Sequence, residues 1–82
     1  MNETELRSAL DSLPFEVDQV AIQLDGQKLI AVVVSAKFEN MDEGERQRLV
    51  WQHLQETFSA VQLVQVEFVF TNTPQEDKEL AS

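Results

Sequence analysis

The stretch that decides the fold is VVVSAKFENMDEGERQRLV, residues 32 to 50. It begins as a run of β-branched residues, which is typical of a strand. It ends in a helical pattern that Asp42 is placed to cap with its side chain. The apolar residues that recur at four-residue spacing and predict a buried stripe on this helix are Val50, Leu54 and Phe58. The sequence therefore predicts a buried strand followed by an amphipathic helix.

Three further elements precede this helix. Leucine and alanine at three- and four-residue spacing predict a helix from Glu3 to Leu13, and apolar–polar alternation predicts a strand from Val17 to Leu24. Asp25-Gly26 then predicts a tight hairpin turn. The second strand, from Lys28 to Ala36, is continuously apolar over most of its length, so we expect Val33 to be buried in a central strand.

The third strand is predicted from Gln62 to Phe70, after the main helix. Alternation in this segment places Phe68 and Phe70 on the face expected to be core. Residues 75 to 82 are polar, and we expect them, with residues 1 and 2, to be flexible.

The element order helix, strand, strand, helix, strand predicts an α+β fold. A hairpin makes the first two strands antiparallel, and the crossover helix lets the third strand lie parallel beside the second. We therefore expect a three-stranded mixed sheet with helices packed on one face, formed by residues 1 to 82 as a single domain.

Composition limits the classes of function. The net charge is −9, from 15 acidic and 6 basic residues, and this balance disfavours nucleic acid as a partner. There is no cysteine, no basic and apolar leader and no apolar run of about 20 residues. We therefore expect a cytoplasmic protein without a membrane segment.

The passage from Phe38 to Arg46-Gln47-Arg48-Leu49-Val50 resembles the strand-to-helix signature of the BolA family. Thr73-Pro74-Gln75-Glu76 is similar to the Thr-Pro-x-Glu that closes many members, although the usual following Trp is Asp77 here. The resemblance covers roughly residues 3 to 76. It implies a BolA-like fold related to the K-homology (KH) domain.

The resemblance also implies a partner, since BolA proteins share a 2Fe–2S cluster with monothiol glutaredoxins. The family supplies a histidine early in the third strand, and many members add Cys or His in the hairpin loop. Here the aligned residue is Gln62, or Gln65 if Thr73-Pro74 sets the alignment, and the loop Asp25-Gly26-Gln27-Lys28 has neither donor. Glutamine is a poor ligand to iron, so we expect no cofactor.

Few side chains are candidates for a site. His53 is the sole histidine, and its place beside the apolar stripe favours packing over metal binding or catalysis, so no catalytic residue is assigned. Lys37, Arg46 and Arg48 could contact a partner or phosphates, although nearby acids favour ion pairing for Arg46. Trp51, at the edge of the stripe, suits an anchor for a protein partner.

The first interpretation is a small, acidic, BolA-like regulatory domain that binds another protein and has no enzymatic activity. One alternative is a KH-like nucleic-acid-binding transcriptional regulator, and the other is an iron–sulfur partner of a monothiol glutaredoxin. Pairing of the first or third strand with a second copy could also give a homodimer.

Overall fold

The computed structural model describes residues 1–81 and has the predicted order of elements. Its elements are α1 (Glu3–Asp11), β1 (Gln19–Asp25), β2 (Lys28–Val34), a 3₁₀ turn (Ala36–Phe38), α2 (Glu43–Thr57), α3 (Ala60–Leu63), β3 (Val66–Asn72) and α4 (Pro74–Ala81). The ends of α1, β1 and β2 differ from the predicted ends by at most two residues. In this described part of the chain, no helix combines the length and the apolar character that crossing a membrane requires.

The sheet is mixed, as predicted, with strand order β1-β2-β3. β1 pairs antiparallel with β2 from Gln19 opposite Val34 to Asp25 opposite Lys28. Gly26 follows Asp25 with φ +64°, a conformation that glycine adopts without steric cost and that allows the tight hairpin. β3 lies parallel to β2 after the crossover through α2, so β2 is the central strand and β1 and β3 are the edges.

The core lies between the sheet and the two longer helices. Leu6 and Leu10 of α1 and Val50 and Leu54 of α2 are fully buried. The sheet supplies buried apolar side chains on the same side: Val20, Leu29, Ala31, Val33, Val66 and Val69. The predicted burial of Val33 and Leu54 is confirmed, and the helices pack on one face of an α+β fold.

The predicted third strand was wrong in its position and in its buried face. Gln62 and Leu63 end the short helix α3, and β3 begins only at Val66. The pairing with β2 then skips Glu67, since Leu29 faces Val66 and Ile30 faces Phe68. Such a bulge inserts one residue and inverts the alternation beyond it.

As a result, Phe68 and Phe70 are not core residues. Their side chains are 51% and 47% exposed on the side of the sheet away from α1 and α2, whereas Val69 and Thr71 are buried. Alternation along the predicted strand had placed Phe68 and Phe70 on the core face.

The polar segment after β3 forms the helix α4 rather than an irregular tail. Thr73 and Glu76 make a reciprocal cap: the Glu76 N–H donates to Thr73 Oγ1 at 3.1 Å, and the Thr73 N–H donates to Glu76 Oε1 at 2.8 Å. Pro74 is the first helical residue, where its missing N–H costs nothing. Ser82 lies outside the described residues, and the flexibility expected for residues 75–82 stays a prediction.

The chain start is also ordered by a cap. Asn2 Oδ1 accepts the Glu5 N–H at 2.8 Å, and Glu5 Oε1 accepts the Asn2 N–H at 3.1 Å. Met1 packs against the core from outside. The flexibility expected for residues 1 and 2 stays a prediction.

Truncation of Leu54 tests the helix register. Leu54→Ala should lower the free energy of unfolding by about 2–5 kcal/mol, because it leaves a cavity in the core. A domain of this size is stable by about 5–10 kcal/mol, so this variant should approach the unfolding threshold in urea or thermal melts. Gln52→Ala, on the exposed side of α2, is the control and should change little. Equal melting of both variants and the wild type would contradict this register.

Candidate functional site

Arg46 has a structural position. Its side chain is only 7% exposed. Its Nε donates to Met41 O at 3.0 Å, and its Nη1 donates to Thr71 O at 3.1 Å and to Glu76 Oε1 at 2.6 Å. A guanidinium engaged in this way cannot also bind a phosphate or a partner without breaking buried contacts. Of the two roles considered from sequence, the structure therefore supports ion pairing.

Lys37 and Arg48 are exposed but do not form a basic patch with Arg46. Arg48 lies on α2, and Lys37 lies in the 3₁₀ turn after β2. The surface depression that Lys37 lines also contains Glu16 and Asp18, whose carboxylates offset its charge. Glu16 and Asp18 therefore make the surface at Lys37 a poor site for an anion.

His53 joins α2 to α1. Its Nε2 lies 2.9 Å from Ala9 O and 3.1 Å from Ser12 Oγ. This is the packing role that the sequence favours for it. Among residues 1–81, no group of three or more His, Asp or Glu side chains could hold a metal ion.

Gln62 is not on a strand. Its Oε1 accepts the Ser59 N–H at 2.9 Å, and its own N–H donates to Ser59 Oγ at 3.2 Å, so it caps α3. Gln65 lies directly before β3, and its carbonyl accepts the Leu29 N–H at 2.8 Å. Gln65, unlike Gln62, therefore lies at the start of the third strand, and its alignment with the family histidine stays a prediction.

Trp51 lines an open groove between α2 and the segment that leads to β3. The groove has a volume of about 460 Å³ and is lined by Trp51, Gln55, Phe58, Ala60, Leu63 and Val64. Val64 is 64% exposed at this groove. We call this surface the Trp51 groove. Sequence reasoning identified Trp51 but missed Val64, because it placed Val64 inside the third strand.

The indole of Trp51 is held in place by Gln47. Trp51 Nε1 donates to Gln47 Oε1 at 3.0 Å, and Gln47 Nε2 donates to Val69 O at 2.8 Å. The ring is thereby fixed relative to both α2 and β3. An aromatic side chain that is already fixed loses little further entropy when a partner binds.

Both edges of the sheet are partly closed by side chains. On β3, Val69 O accepts from Gln47 and Thr71 O accepts from Arg46. On β1, Val20 O accepts from Arg7 Nη1 at 2.7 Å. An added strand would have to displace these donors. The edges are therefore poor sites for pairing with a second copy, and the faces of the molecule remain for binding.

The side of the sheet away from the helices carries a cluster of apolar side chains, with Gln19, Gln23 and Lys28 on the same side. The cluster consists of Ala21, Ile30, Val32, Phe68 and Phe70, which we call the open face. The Phe68 and Phe70 rings lie against each other, with 4.7 Å between centroids. The described helices leave this surface uncovered, and sequence reasoning missed it because the bulge at Glu67 reverses the alternation.

Two carboxylates lie at the hairpin end of the open face. A hydrogen bond with Asp25 and the repulsion between the two carboxylates raise the pKa of Glu67 above its ordinary value. Lys28 is the nearby cation, and its Nζ donates to Val64 O at 2.7 Å. We call Asp25 and Glu67 the acid pair.

No protein-family model and no curated protein matches this sequence. Two solved structures do resemble the chain. BolA1 from Arabidopsis thaliana is 23% identical with a TM-score of 0.65, over 89% of this chain and 92% of that chain. A bol-like protein from Babesia bovis is also 23% identical with a TM-score of 0.61, over 100% of this chain and 95% of that chain.

The chain has the BolA-like fold. The fold expected from the residues around Phe38 and Arg46 is thereby confirmed. At this level of identity the likeness establishes the BolA-like fold alone, because one fold hosts many functions. Function has to be argued from the side chains.

Iron–sulfur reconstitution tests whether the chain can bind a cluster without imidazole or thiolate ligands at Gln65 and in the hairpin loop. We expect the purified protein to stay colourless after anaerobic reconstitution without a partner, because Gln65 and the hairpin loop offer neither imidazole nor thiolate. The measurement is ultraviolet–visible absorption. A stable 2Fe–2S spectrum that His53→Ala abolishes would contradict this prediction.

The Arg46–Glu76 pair should make the stability of the fold depend on pH. The hydrogen bond from Arg46 and then that from the Thr73 N–H lower the pKa of Glu76 below its ordinary value of 4.5. A carboxyl group with a lowered folded-state pKa stabilises the fold above its unfolded pKa and loses this effect as the pH falls through the folded value.

Glu76→Gln should therefore lower the melting temperature at pH 7, and the difference from wild type should shrink as the pH falls below about 4.5. The side chain of Glu76 is 43% exposed, so solvent screening keeps the effect modest. Thermal melts across this pH range provide the measurement. Asp77→Asn, one residue along α4, is the matched control and should show a smaller pH-dependent difference. A Glu76→Gln difference independent of pH would contradict the ionic role.

Proposed function

We propose that this protein is a small, non-catalytic binding domain of the cytoplasm that acts as a regulator by docking another protein at the Trp51 groove. The observation that carries the proposal is the groove itself: an aromatic side chain fixed by Gln47 beside exposed apolar residues. Aromatic anchors in water-excluding pockets dominate the energy of protein interfaces.

The lining of the groove supports a protein partner over a small polar substrate. Its side chains are mostly apolar, and Gln55 contributes the amide among them. A groove with so few polar groups gives little orientation to a polar substrate. It suits one or two apolar side chains presented by a folded or extended segment.

The net charge supports a partner with a basic patch. At −9, the protein attracts cationic surfaces and speeds their encounter. The BolA-like fold, together with the resemblance described above, suggests a monothiol glutaredoxin as the first candidate. Without an imidazole at Gln65, we propose that such a complex forms without a cluster ligand from this chain.

The positions of the reactive side chains support a non-catalytic role. His53, the sole imidazole, is tied to Ala9 O and Ser12 Oγ. A nucleophilic site needs a base that can reach both a nucleophile and a substrate. His53 does reach the hydroxyl of Ser12, but that hydroxyl donates to Ala9 O at 2.8 Å, so its proton is held by a helix carbonyl and not by the imidazole.

Nucleic-acid binding remains a second candidate because of the open face. Phe68 and Phe70 are exposed side by side on a sheet, which is the arrangement of a stacking platform for bases. Their expected burial had argued against this role, and that reason no longer holds. The charge still disfavours it, because the acid pair lies on this surface and Arg46 is buried.

Affinity capture from a cell extract tests the proposed groove, with mass spectrometry to identify and quantify bound proteins. A specific partner should be retained by the wild type and weakened at least about tenfold by Trp51→Ala, the loss typical of an aromatic anchor. Val64→Asn should also weaken retention, and its exposure makes misfolding a minor concern. The same partner, or a recombinant monothiol glutaredoxin, is then titrated by calorimetry.

Val61→Asn is the matched control. Val61 lies on the neighbouring helix α3, is 81% exposed and is not among the groove-lining residues, so its replacement should leave retention unchanged. If the wild type and the three variants retained the partner equally, the partner would bind outside the Trp51 groove. Failure to retain any protein, or to bind glutaredoxin, would contradict the proposal of a protein-binding domain.

A further inference from the structure

The open face groups apolar side chains from all three strands on a surface that the described helices leave uncovered. Cross-strand pairing places Ala21 beside Val32, Ile30 beside Phe68, and Val32 beside Phe70. Phe68 and Phe70 together present about half of their side-chain surface to solvent. Contiguous exposed patches of this kind mark interaction sites more often than isolated exposed residues do.

The acid pair gives this face a charge of definite sign at its hairpin end. Asp25 is opposite Lys28 in the hairpin, and Glu67 is the bulge residue next to Phe68. The Lys28 ammonium lies opposite Asp25, attracts Glu67 and donates to Val64 O, which leaves this end of the face with two carboxylates against one cation. Two carboxylates this close repel each other, and a cation brought by a partner would relieve that repulsion.

The negative charge at this face determines which kind of partner can bind there. A second copy would bring its own acid pair and a further charge of −9, and a nucleic acid or an anionic membrane would bring more negative charge still. Each of these is repelled. A cationic protein segment is attracted to the acid pair and can cover the aromatic rings.

We propose that the open face is a second interaction surface, which borders on Trp51 at a small depression lined by Trp51, Glu67 and Phe68, and that it takes a basic amphipathic segment of a partner protein. The apolar side of that segment covers Ile30, Val32, Phe68 and Phe70, and a Lys or Arg side chain meets Asp25 and Glu67. The aromatic pair supplies most of the affinity, and the carboxylates set the sign of charge that is accepted.

A random 15-residue peptide library displayed on phage tests this proposal, with the full chain as bait. The selected peptides should combine apolar residues with Lys or Arg. Amide and methyl chemical-shift changes caused by a selected synthetic peptide should map to Ile30, Val32, Phe68 and Phe70. Because Trp51 also borders on Phe68, the discriminating signals are those of Ile30 and Val32 for the open face and of Leu63 and Val64 for the groove. Changes confined to Leu63 and Val64 would support the proposed function and overturn this inference, so the two can fail separately.

Substitutions test separately how much the aromatic pair and the acid pair contribute to peptide affinity. Phe68→Thr with Phe70→Thr should weaken the peptide at least about tenfold, as loss of aromatic anchors does, while threonine keeps the strand propensity. Leu24→Thr is the matched control. Leu24 is an exposed strand residue that pairs with buried Leu29 and so belongs to the opposite side of the sheet; its replacement should leave affinity unchanged.

The charge is tested by Asp25→Asn with Glu67→Gln, which should weaken a basic peptide about twofold to fivefold, the range for exposed ion pairs. Asp11→Asn with Glu56→Gln removes the same charge from the helices and should have a smaller effect. If both double variants weakened binding equally, the net charge of the protein alone would explain the effect, and the assignment of the acid pair would be overturned.

Two parallel measurements test whether RNA or a second copy of the chain occupies the open face instead. A ten-nucleotide single-stranded RNA is titrated in parallel, and sedimentation measures self-association of the wild type. RNA binding that the Phe68→Thr, Phe70→Thr protein loses would overturn the proposal in favour of a stacking platform. A dimer lost in that protein would overturn it in favour of a second copy, and selection of only neutral or acidic peptides would overturn it outright.

Discussion

The buried guanidinium of Arg46 is the contact on which the arrangement of the last third of the chain depends. It bonds the carbonyls of Met41 and Thr71 and the carboxylate of Glu76, and its Cζ lies 5.8 Å from the centre of the Phe38 ring. A buried charge is tolerated only when its hydrogen-bonding capacity is satisfied. The loop before α2, β3 and α4 must therefore all be in place together.

Side-chain hydrogen bonds to backbone carbonyls also determine which parts of the sheet are accessible to a partner. Gln47 and Arg46 occupy carbonyls of β3, and Arg7 occupies one of β1. A three-stranded sheet has two edges and two faces, and here the edges are partly closed and one face is core. The Trp51 groove and the open face are exposed apolar surfaces outside this network, and the two proposals for binding rest on them.

Patterns with a local physical cause could be read from the sequence. Periodic leucines placed α1, the β-branched run placed Val33 in the central strand, and Asp42 capped α2, where its Oδ1 accepts the Glu45 N–H at 2.8 Å. The hairpin followed from one glycine in a left-handed conformation. Each of these depends on residues within one turn or one strand, so tertiary contacts did not have to be known.

The errors concern features set by distant parts of the chain. The bulge at Glu67 depends on how β3 aligns with β2, and alternation within β3 alone gives no sign of it. Ion pairing was favoured for Arg46, but with nearby acids, and its partner Glu76, 30 positions away, could not be identified from sequence. The Thr73–Glu76 cap was the one missed signal with a local cause, since Thr-Pro-x-Glu fits a capping box with proline at the first helical position.

The bulge connects the core to the open face. Without the extra residue, Phe68 and Phe70 would point toward α2, and Val69 would point to solvent. Val69 and Thr71 are almost completely buried at these positions, and a close-packed interior would not accept two phenyl rings in their place without moving the helices. The small residues therefore keep α2 close to the sheet. The same residue that reverses the strand, Glu67, also lies beside Asp25, so one insertion accounts for both the aromatic surface and the negative charge at its end.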